Sequence, residues 1–367
     1  MKKLFTLVFM ALALTANAQE QKKTTTIELP QWIRDIKFSG YGIMQYQAQN
    51  PNEKSENAFN LRLLRFILDG KIGDVAWRAQ LQGSSNAGPG NPTVMLVDLF
   101  AEWQKYDFFR IKVGQFKRAF TFDNPTHPIT QGWYSYANVI NALSGLGDRS
   151  GEKASGGRDI GVQIQGDFLK NASGRNLLHY QIGVYNGEGI NQKDLDNRKD
   201  IIGGMWFMPV KGVRIGAFGW TGSRANMTYT DADGTSHSIS MSKNRYALSA
   251  EYDKDDWTFR AEYLHSQGWG AKKVDSREID FSKGDKADGY YVYGIVPIIK
   301  SKLKAKARYQ VYRPQKEWST SKTMYEIGAI YNFTPKLQVN VEYSRVNDRS
   351  LAKHDYNFFD AEFSFKF

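Results

Sequence analysis

Four basic residues alternate along one stretch of the chain: Lys302, Lys304, Lys306 and Arg308. Residues two apart on a β-strand point to the same face and lie about 6.6 Å from each other. Such a row sets cationic groups along a line on which an anion can step from one to the next. Lysine presents a point charge, and arginine presents a planar fork that grips phosphate at two points. The chemistry favoured by this spacing is therefore attraction of anions, which requires neither a nucleophile nor a metal.

Further basic residues occur at positions that we assign to the same polar face of other strands. They are Arg62, Arg78, Arg110, Lys112, Arg214, Arg245 and Arg260. Carboxylates share that face at Asp98, Glu102, Glu251, Glu262, Glu326, Glu342, Asp360 and Glu362. These carboxylates leave an alternative open, in which they cancel the field of the cations and the row from Lys302 to Arg308 is a solvated face near a rim. Arg65 is out of phase with Arg62, so either a bulge intervenes or one of the two lies on the other face.

Motifs for catalysis are absent from the sequence, which has no G-x-S-x-G, no H-E-x-x-H and no P-loop. Its histidines are scattered at His127, His179, His237, His265 and His354. The run Asp231-Ala232-Asp233-Gly234 lacks the remaining ligands of a calcium loop and is typical of a turn. We therefore predict no enzymatic activity, no catalytic residue, no cofactor and no bound metal.

The elements that position the charged residues are strands, because the apolar residues recur with period two. In the last segment Phe359, Ala361, Phe363, Phe365 and Phe367 share one face, and polar residues occupy the other. We predict sixteen strands, with ends uncertain by two to four residues. Their approximate ranges are 36–49, 58–72, 75–83, 95–104, 108–118, 157–168, 177–187, 199–208, 211–222, 243–253, 257–268, 288–297, 301–313, 322–333, 336–346 and 356–367.

The connections between these strands alternate between short turns and longer polar loops, which is typical of an even, closed, up-and-down barrel. Most segments reach the 9 to 11 residues that a tilted strand needs to cross a membrane, roughly twice the length of a soluble strand. The expected fold is an all-β, 16-stranded antiparallel transmembrane β-barrel over residues 36–367. Its short turns would face the periplasm and its longer loops the exterior.

The start of the chain has the features of a secretory signal over residues 1–18. Lys2 and Lys3 precede an apolar run from Leu4 to Leu14, and Ala16-Asn17-Ala18 supplies the small residues of a cleavage site. Residues 19–35 are a polar, Lys-rich lead-in that we expect in the periplasm. Because the chain would leave the cytoplasm, its net charge of +11 does not indicate nucleic acid as a partner. The absence of cysteine excludes disulfides.

Several runs resemble one family of outer-membrane proteins. They are Asn60 to Phe66, Val97 to Trp103, Arg110 to Lys117, Gly147 to Ser150, Gly157 to Gln163 and Tyr180 to Gly189. In these runs the chain resembles the phosphate-selective porin O and P family of Gram-negative bacteria, especially its Bacteroidetes members. The resemblance implies a sixteen-stranded, homotrimeric porin that lets small anions, including phosphate or polyphosphate, diffuse across the cell outer membrane. The terminal Phe367 resembles the signal by which the barrel assembly machinery recognises its substrates.

The longest predicted connection, 119–156, is too aromatic for a free loop and has a length that is unusual without a role. In porins generally, the third external loop folds inward, and this connection follows the fifth strand. We predict that 119–156 is a constriction loop, with Lys117, Arg118 and Arg149 as the basic residues at its root or on it.

Two classes of function follow from the sequence. The first is an anion-permeable diffusion porin, whose partners are small anions, the lipid bilayer and lipopolysaccharide. The second is a non-conducting outer-membrane barrel that acts through its loops as an adhesin or scaffold. Single-channel recording separates the two classes, because only the first conducts.

Overall fold

The computed structural model describes residues 36–84, 94–154 and 156–367. The predicted signal peptide, 1–18, and the predicted lead-in, 19–35, lie outside the described residues. The strands are β1 Lys37–Gln49, β2 Glu56–Ile72, β3 Val75–Gly83, β4 Val94–Tyr106, β5 Phe109–Lys117, β6 Arg158–Lys170, β7 Asn176–Tyr185, β8 Asp200–Phe207, β9 Val213–Thr221, β10 Ser223–Thr230, β11 Ser236–Ser242, β12 Asn244–Lys254, β13 Trp257–Gln267, β14 Gly270–Ala271, β15 Ile279–Asp280, β16 Lys286–Ile299, β17 Leu303–Arg313, β18 Lys322–Thr334, β19 Leu337–Asp348 and β20 Asp355–Lys366.

One short α-helix, α1, covers Asn138–Leu143, and single 3₁₀ turns occupy Pro51–Glu53, Phe281–Lys283 and Trp318–Thr320. Within the described ranges, no helix is long and apolar enough to cross a membrane.

Sixteen of the strands close into one barrel. Each barrel strand pairs with the next barrel strand along the chain, and β1 pairs antiparallel with β20. The prediction of a closed, sixteen-stranded, antiparallel all-β barrel is confirmed. The other four strands form two hairpins, β10–β11 and β14–β15, inside connections that are predicted as polar loops. These hairpins form because Met227, Met241, Ala271 and Ile279 bury one another in a small apolar cluster.

The two ends of the barrel differ in the length of their connections. At one end, which we call the short-turn end, β2 and β3 are joined through residues 73–74 and β12 and β13 through residues 255–256. At the other, the long-loop end, residues 118–157 and 222–243 intervene between barrel strands. This alternation is the one expected for an up-and-down barrel whose termini lie at the same end.

The two faces of each barrel strand have opposite chemistry. On β18 the side chain of Ile327 faces outward and is 61% exposed, whereas its neighbour Glu326 faces inward and is 2% exposed. The same inversion places Leu248 outside and Ser249 inside on β12. An apolar exterior around a charged interior is stable only where hydrocarbon surrounds the barrel, because water would favour the reverse arrangement.

The seam between the first and last strands closes the cylinder. Gly40 and Phe367 exchange two backbone hydrogen bonds of 3.0 Å, one step beyond the end of β20. A methyl group at Gly40 would lie 2.3 Å from the ring of Phe367 and 2.5 Å from the carbonyl oxygen of Arg65. The seam therefore needs glycine here, because the Arg65 carbonyl belongs to the backbone and cannot rotate away.

We predict that Gly40→Ala lowers the free energy of unfolding by about 1–3 kcal/mol, which is the usual cost of overpacking. The matched control is Gly219→Ala on β9, where the added carbon meets nothing within 4 Å. Guanidinium unfolding of the protein in lipid vesicles measures both variants. Equal midpoints for the two variants would contradict the close packing at the seam.

Candidate functional site

The interior of the barrel is lined by charged residues that the parity of the strands turns inward. Most of the cations predicted for this face have a carboxylate partner from the same or a neighbouring strand. Arg78 contacts Asp69 at 2.7 Å, Arg110 contacts Asp167 at 2.5 Å, Lys112 lies 3.4 Å from Glu102, and Arg214 contacts Glu251 at 2.6 Å. Arg260 bonds the same Glu251 at 2.6 Å and also pairs with Asp123. Charges of both signs therefore line the wall.

The row on β17 is divided by its environment. Lys306 pairs with Glu342 on β19 and donates to the carbonyl oxygen of Gly132 at 2.6 Å. Arg308 forms a two-point ion pair with Glu326 on β18, with N···O distances of 2.6 and 2.8 Å. Both cations are almost completely buried, so their charges are balanced locally.

The first two members of the predicted row lie at the short-turn end. Lys304 lies 2.9 Å from Asp256 and is about one-fifth exposed. Lys302 precedes β17 in the turn 300–302 and is exposed. It is not on the strand because Ser301 has a positive φ of 60° and the Lys302 amide donates to the carbonyl of Ile299. The strand predicted over 301–313 is therefore shorter by two residues at its start.

Arg62 and Arg65 both face the interior, because a bulge separates them. The register of β1 and β2 shifts so that Ile43 opposes Leu63 while Met44 opposes Leu61, which leaves Arg62 as the extra residue. Arg62 pairs with Glu362 on β20. Of the two interpretations left open by the spacing, the bulge is the one observed.

Residues 118–157 cross the interior instead of extending away from it. Backbone amides of this segment donate to inward side chains on distant strands: Phe122 to Glu262 at 2.6 Å, Tyr134 to Glu342 at 2.7 Å and Asn138 to Gln310 at 2.7 Å. Its apolar side chains form the main core cluster, in which Phe120, Trp133 and Ile140 are 0% exposed. The segment is thus held by both polar contacts and apolar burial.

Ion pairs fix the root of this segment. Arg118 is completely buried and pairs with Glu152 and, at 3.5 Å, with Asp159. Burial acts to lower the pKa of Arg118, but these two carboxylates outweigh it and raise that pKa above its ordinary value. The guanidinium of Arg118 also stacks 4.6 Å from the ring centre of Trp220.

A second anchor joins Asp148 to Arg245 on β12, with N···O distances of 2.6 and 2.7 Å. Burial acts to raise the pKa of Asp148, but the charge and hydrogen bonds of Arg245 outweigh it and hold that pKa well below its usual range. The carboxylate is therefore ionised across the physiological range. Arg149, next to it, donates to the backbone carbonyls of Lys283, Gly284 and Pro314.

The exposed fraction of the inward side chains falls from the short-turn end toward the middle. Arg78 and Asp69, close to the turn at 73–74, are 36% and 33% exposed, and Arg214 is 27% exposed. Arg118 and Glu152 are 0% exposed. The inward side chains are therefore more exposed at the short-turn end than where they contact the segment 118–157.

Two inward cations on the barrel strands differ from the others on those strands, because no carboxylate lies within 4 Å of them in the described part of the chain. Arg65 donates to the side-chain oxygen of Gln82 at 2.9 and 2.7 Å. Lys117 donates to the carbonyl oxygen of Thr126 at 2.8 Å and to the hydroxyl of Tyr136 at 3.0 Å. Their hydrogen-bond partners are neutral, so neither group forms an ion pair with a described residue.

His127 packs beside these two cations, with its ring centre 4.3 Å from that of Tyr41. Burial, together with the charges of Arg65, Lys117, Arg158 and Arg78, lowers the pKa of His127 to about 3. The imidazole is therefore neutral near pH 7 and adds no charge to the group. Arg158 itself is paired with Asp98 at 2.7 Å.

Within the described ranges, two inward carboxylates have no basic partner, just as Arg65 and Lys117 have no acidic one. Glu262 accepts hydrogen bonds from the hydroxyls of Ser249 at 2.6 Å and Tyr291 at 2.7 Å. Asp360 accepts from the side-chain amides of Gln45 and Gln47 at 2.8 and 2.9 Å. Neither has a basic group within 4 Å among the described residues. No group of three or more metal-ligating side chains occurs in the same part of the chain.

Most inward cations are among the predicted residues, but the carboxylates that hold the loops in place are not: Asp123, Asp148, Glu152 and Glu188. Glu188 bridges Arg224 and Arg277 from two further loops. The composition of the segment 118–157 contains a signal for these carboxylates, because acidic residues accompany aromatic ones there and Arg118 lies at its root. Such acidic residues need buried basic partners if the segment packs inside.

A closed barrel with a hydrocarbon-compatible exterior, a charged interior and a connection folded across that interior defines the class of outer-membrane channels called porins. The sequence matches the profile of the Gram-negative porin family over residues 6–351. The chain belongs to the Gram-negative porin family, and it is accordingly an outer-membrane protein. The profile is that of the broad family, and it does not distinguish phosphate-selective members.

Solved porin structures share the fold at low sequence identity. Salmonella typhi OmpF in complex with daunomycin is 14% identical, with a TM-score of 0.66 over 90% of this chain and 97% of that one. The high-pH structure of Pseudomonas putida OprB is 10% identical, with a TM-score of 0.60 over 91% and 95%. In-vitro folded OmpT of Vibrio cholerae, in its trimer form, is 12% identical, with a TM-score of 0.57 over 90% and 99%. Among curated protein sequences, none matches the chain significantly.

We predict that Asp148→Asn loosens the segment 118–157, because it leaves Arg245 buried without its carboxylate. Breaking one side of a buried pair costs about 3–5 kcal/mol, so amide hydrogen exchange within 118–157 should accelerate. The control is Glu53→Gln, which breaks the exposed pair with Lys353 and costs less than about 1 kcal/mol. Unchanged exchange in Asp148→Asn would show that this ion pair does not hold the segment.

A second prediction concerns pH. A free histidine titrates near pH 6.5, whereas packed His127 should stay neutral down to about pH 3. Between pH 6.5 and about pH 3, His127 binds a proton when the segment is released but not when it is packed. The free energy of packing therefore becomes less favourable as the pH falls through this window. NMR spectra of the ring-labelled protein should show one neutral imidazole below pH 5 that disappears in His127→Gln. Titration of that imidazole near pH 6.5 would contradict its packing among the cations.

Proposed function

We propose that this porin lets small anions, phosphate among them, diffuse passively through a water-filled path in the barrel. The observation that carries the proposal is the pair of cations without carboxylate partners, Arg65 and Lys117. A charge balanced by a close partner exerts little field on a passing ion, whereas an unbalanced one attracts counter-ions within a low-dielectric wall. The resemblance to the phosphate-selective porin O and P family supports the same preference.

The path begins at the short-turn end, where the inward residues are partly exposed. Arg78, Arg110, Arg214 and Lys304 lie there, each with a carboxylate close by. In the proposal these pairs hold ions of either sign weakly. Discrimination is made farther in, where Arg65 and Lys117 stand beside neutral His127.

The row that ends in Lys306 and Arg308 remains part of the proposed lining. Because Glu342 and Glu326 balance these two cations, we expect them to contribute less to selectivity than Arg65 and Lys117. Residues 119–156 are proposed as the constriction, which is supported by the contacts that this segment makes across the interior. Lys117 and Arg118 at its root and Arg149 along it then set the position of the segment as well as the local charge.

Assembly as a homotrimer is proposed from the family and from the trimer form of the Vibrio cholerae OmpT structure. Delivery to the outer membrane is proposed to use the signal peptide 1–18 and recognition of Phe367 by the barrel assembly machinery. Phe367 is 41% exposed beside the seam, which supports its accessibility to a receptor.

A second candidate is a barrel that does not conduct and acts through its loops as an adhesin or scaffold. The observation that favours it is the dense filling of the middle, where Trp133, Arg118 and Glu152 are 0% exposed. Loops at the long-loop end are also ordered into a common body by Glu188, which binds Arg224 and Arg277.

We predict single-channel current steps in planar bilayers and a reversal potential of anion-selective sign in a potassium chloride gradient. Arg65→Gln with Lys117→Gln should lower the chloride to potassium permeability ratio on the order of threefold to tenfold, because two uncancelled charges are removed. The matched control, Lys272→Met with Glu278→Gln, removes one charge of each sign from an exposed pair outside the barrel strands and should leave the ratio within about twofold. Absence of current steps in the unmodified protein would favour the non-conducting barrel.

Phosphate specificity is tested separately from anion preference. Addition of inorganic phosphate should reduce the chloride current if phosphate binds in the path, and Arg65→Gln should weaken that block. A parallel addition of polyphosphate distinguishes the two solutes by the concentration needed for half block. Chloride current that neither solute reduces would leave a general anion porin.

A further inference from the structure

A groove of about 620 Å³ lies on the outer surface near the long-loop end. Its floor is the bare backbone at Gly203 on β8 and Gly219 on β9, which oppose each other directly in the register. Ile182 and Ile201 line one side and Tyr246 and His265 the other. The paired glycines leave this hollow because a side chain at Gly219 would meet nothing within 4 Å.

The groove belongs to the face of the barrel that contacts hydrocarbon. Ile182, Ile201 and Tyr246 are 45%, 46% and 47% exposed, and adjoining Met205 and Leu248 are also exposed. Aromatic rings cover the outward glycines Gly42 and Gly294, whereas no described residue covers Gly219, so the groove is a depression in this face. Its lining suits an alkyl chain, because burial there removes methylene groups from disordered lipid into fixed contacts.

Polar residues close the groove at one end only. Thr221 donates to Asn244 at 2.9 Å, Asn244 opposes Gln267 and Gln267 opposes Lys286, so one polar row crosses β9, β12, β13 and β16. Lys286 is exposed and has no carboxylate within 4 Å among the described residues. A polar row across several strands is typical of the level at which hydrocarbon gives way to headgroups, and Lys286 offers a positive charge beside it.

We propose that this groove binds one acyl chain of a phosphorylated membrane lipid, with the phosphate of its headgroup beside Lys286 and the polar row. The apolar lining of the groove suits an acyl chain, and its polar end suits a headgroup. The positive charge of Lys286 suits the negative charge of the phosphate. The site depends on the outer-membrane location of the barrel and not on conduction. Failure of the proposed anion permeability would therefore leave it intact.

The experiment uses the full-length protein in nanodiscs that contain phosphatidylglycerol carrying a photoactivatable diazirine in one acyl chain. Cross-linked peptides should concentrate on residues 201–203, 219–221 and 244–246 over other outward positions. Even labelling around the barrel would overturn the proposal, because it would show ordinary contact with bulk lipid.

Two variants test the parts of the site. Gly219→Leu fills the groove and should reduce cross-linking there about tenfold, as expected when one or two methylene groups lose their place. Lys286→Gln should reduce it roughly fivefold, the typical effect of one lysine on anionic lipid, and it leaves the groove itself unchanged. The control Ala101→Leu adds the same side chain to an outward, exposed position on β4 and should have no effect.

The other candidate occupant of the groove is a second copy of the chain. In that case cross-linking to lipid would be absent from the groove, and Gly219→Leu would dissociate the oligomer on native gels. That result would overturn the lipid assignment. In Gly219→Leu, retention of the oligomer together with loss of lipid cross-linking in the groove supports the lipid assignment.

Discussion

Charge pairing away from bulk water is the constraint on which the rest of this structure depends. The strands turn their polar residues inward because their other face meets hydrocarbon, and the interior is narrowed further by residues 118–157. An ionised side chain in such a place is costly unless it has a partner. The pairs Arg118–Glu152 and Arg245–Asp148 therefore do more than line a wall, because they determine where the crossing segment can lie.

The same constraint separates structural charges from those available to a solute. Arg308 is held at two points by Glu326 and also by the carbonyl oxygen of Ser135, which leaves little of its donor capacity free. Arg65 is held by an amide oxygen, which balances hydrogen bonds but not charge. A basic residue on the inner face is thus informative only when its partners are known. Arg308 and Arg65 differ in this respect although both face the interior.

Much of the fold could be predicted from the sequence, because period two is a local property. The alternation in residues 359–367 and the short turn at 73–74 are read from a few adjacent residues, and the closed sixteen-stranded barrel follows from their repetition. The partner of each cation could not be predicted in the same way. Arg245 and Asp148 are 97 positions apart, and nothing local indicates that they meet. Arg65 required knowledge of a bulge at Arg62, and Lys302 required knowledge of the backbone turn at Ser301.

The seam at Gly40 and Phe367 has a consequence for the order of assembly. β20 pairs with β1 and Phe367 pairs with Gly40, so the cylinder closes only when the last barrel strand meets the first. The segment 118–157 precedes β13, β17 and β19 in the chain and contacts inward side chains of all three. The segment can therefore reach its final contacts only once these later strands are in place. Packing of the interior thus depends on assembly of the later strands of the barrel.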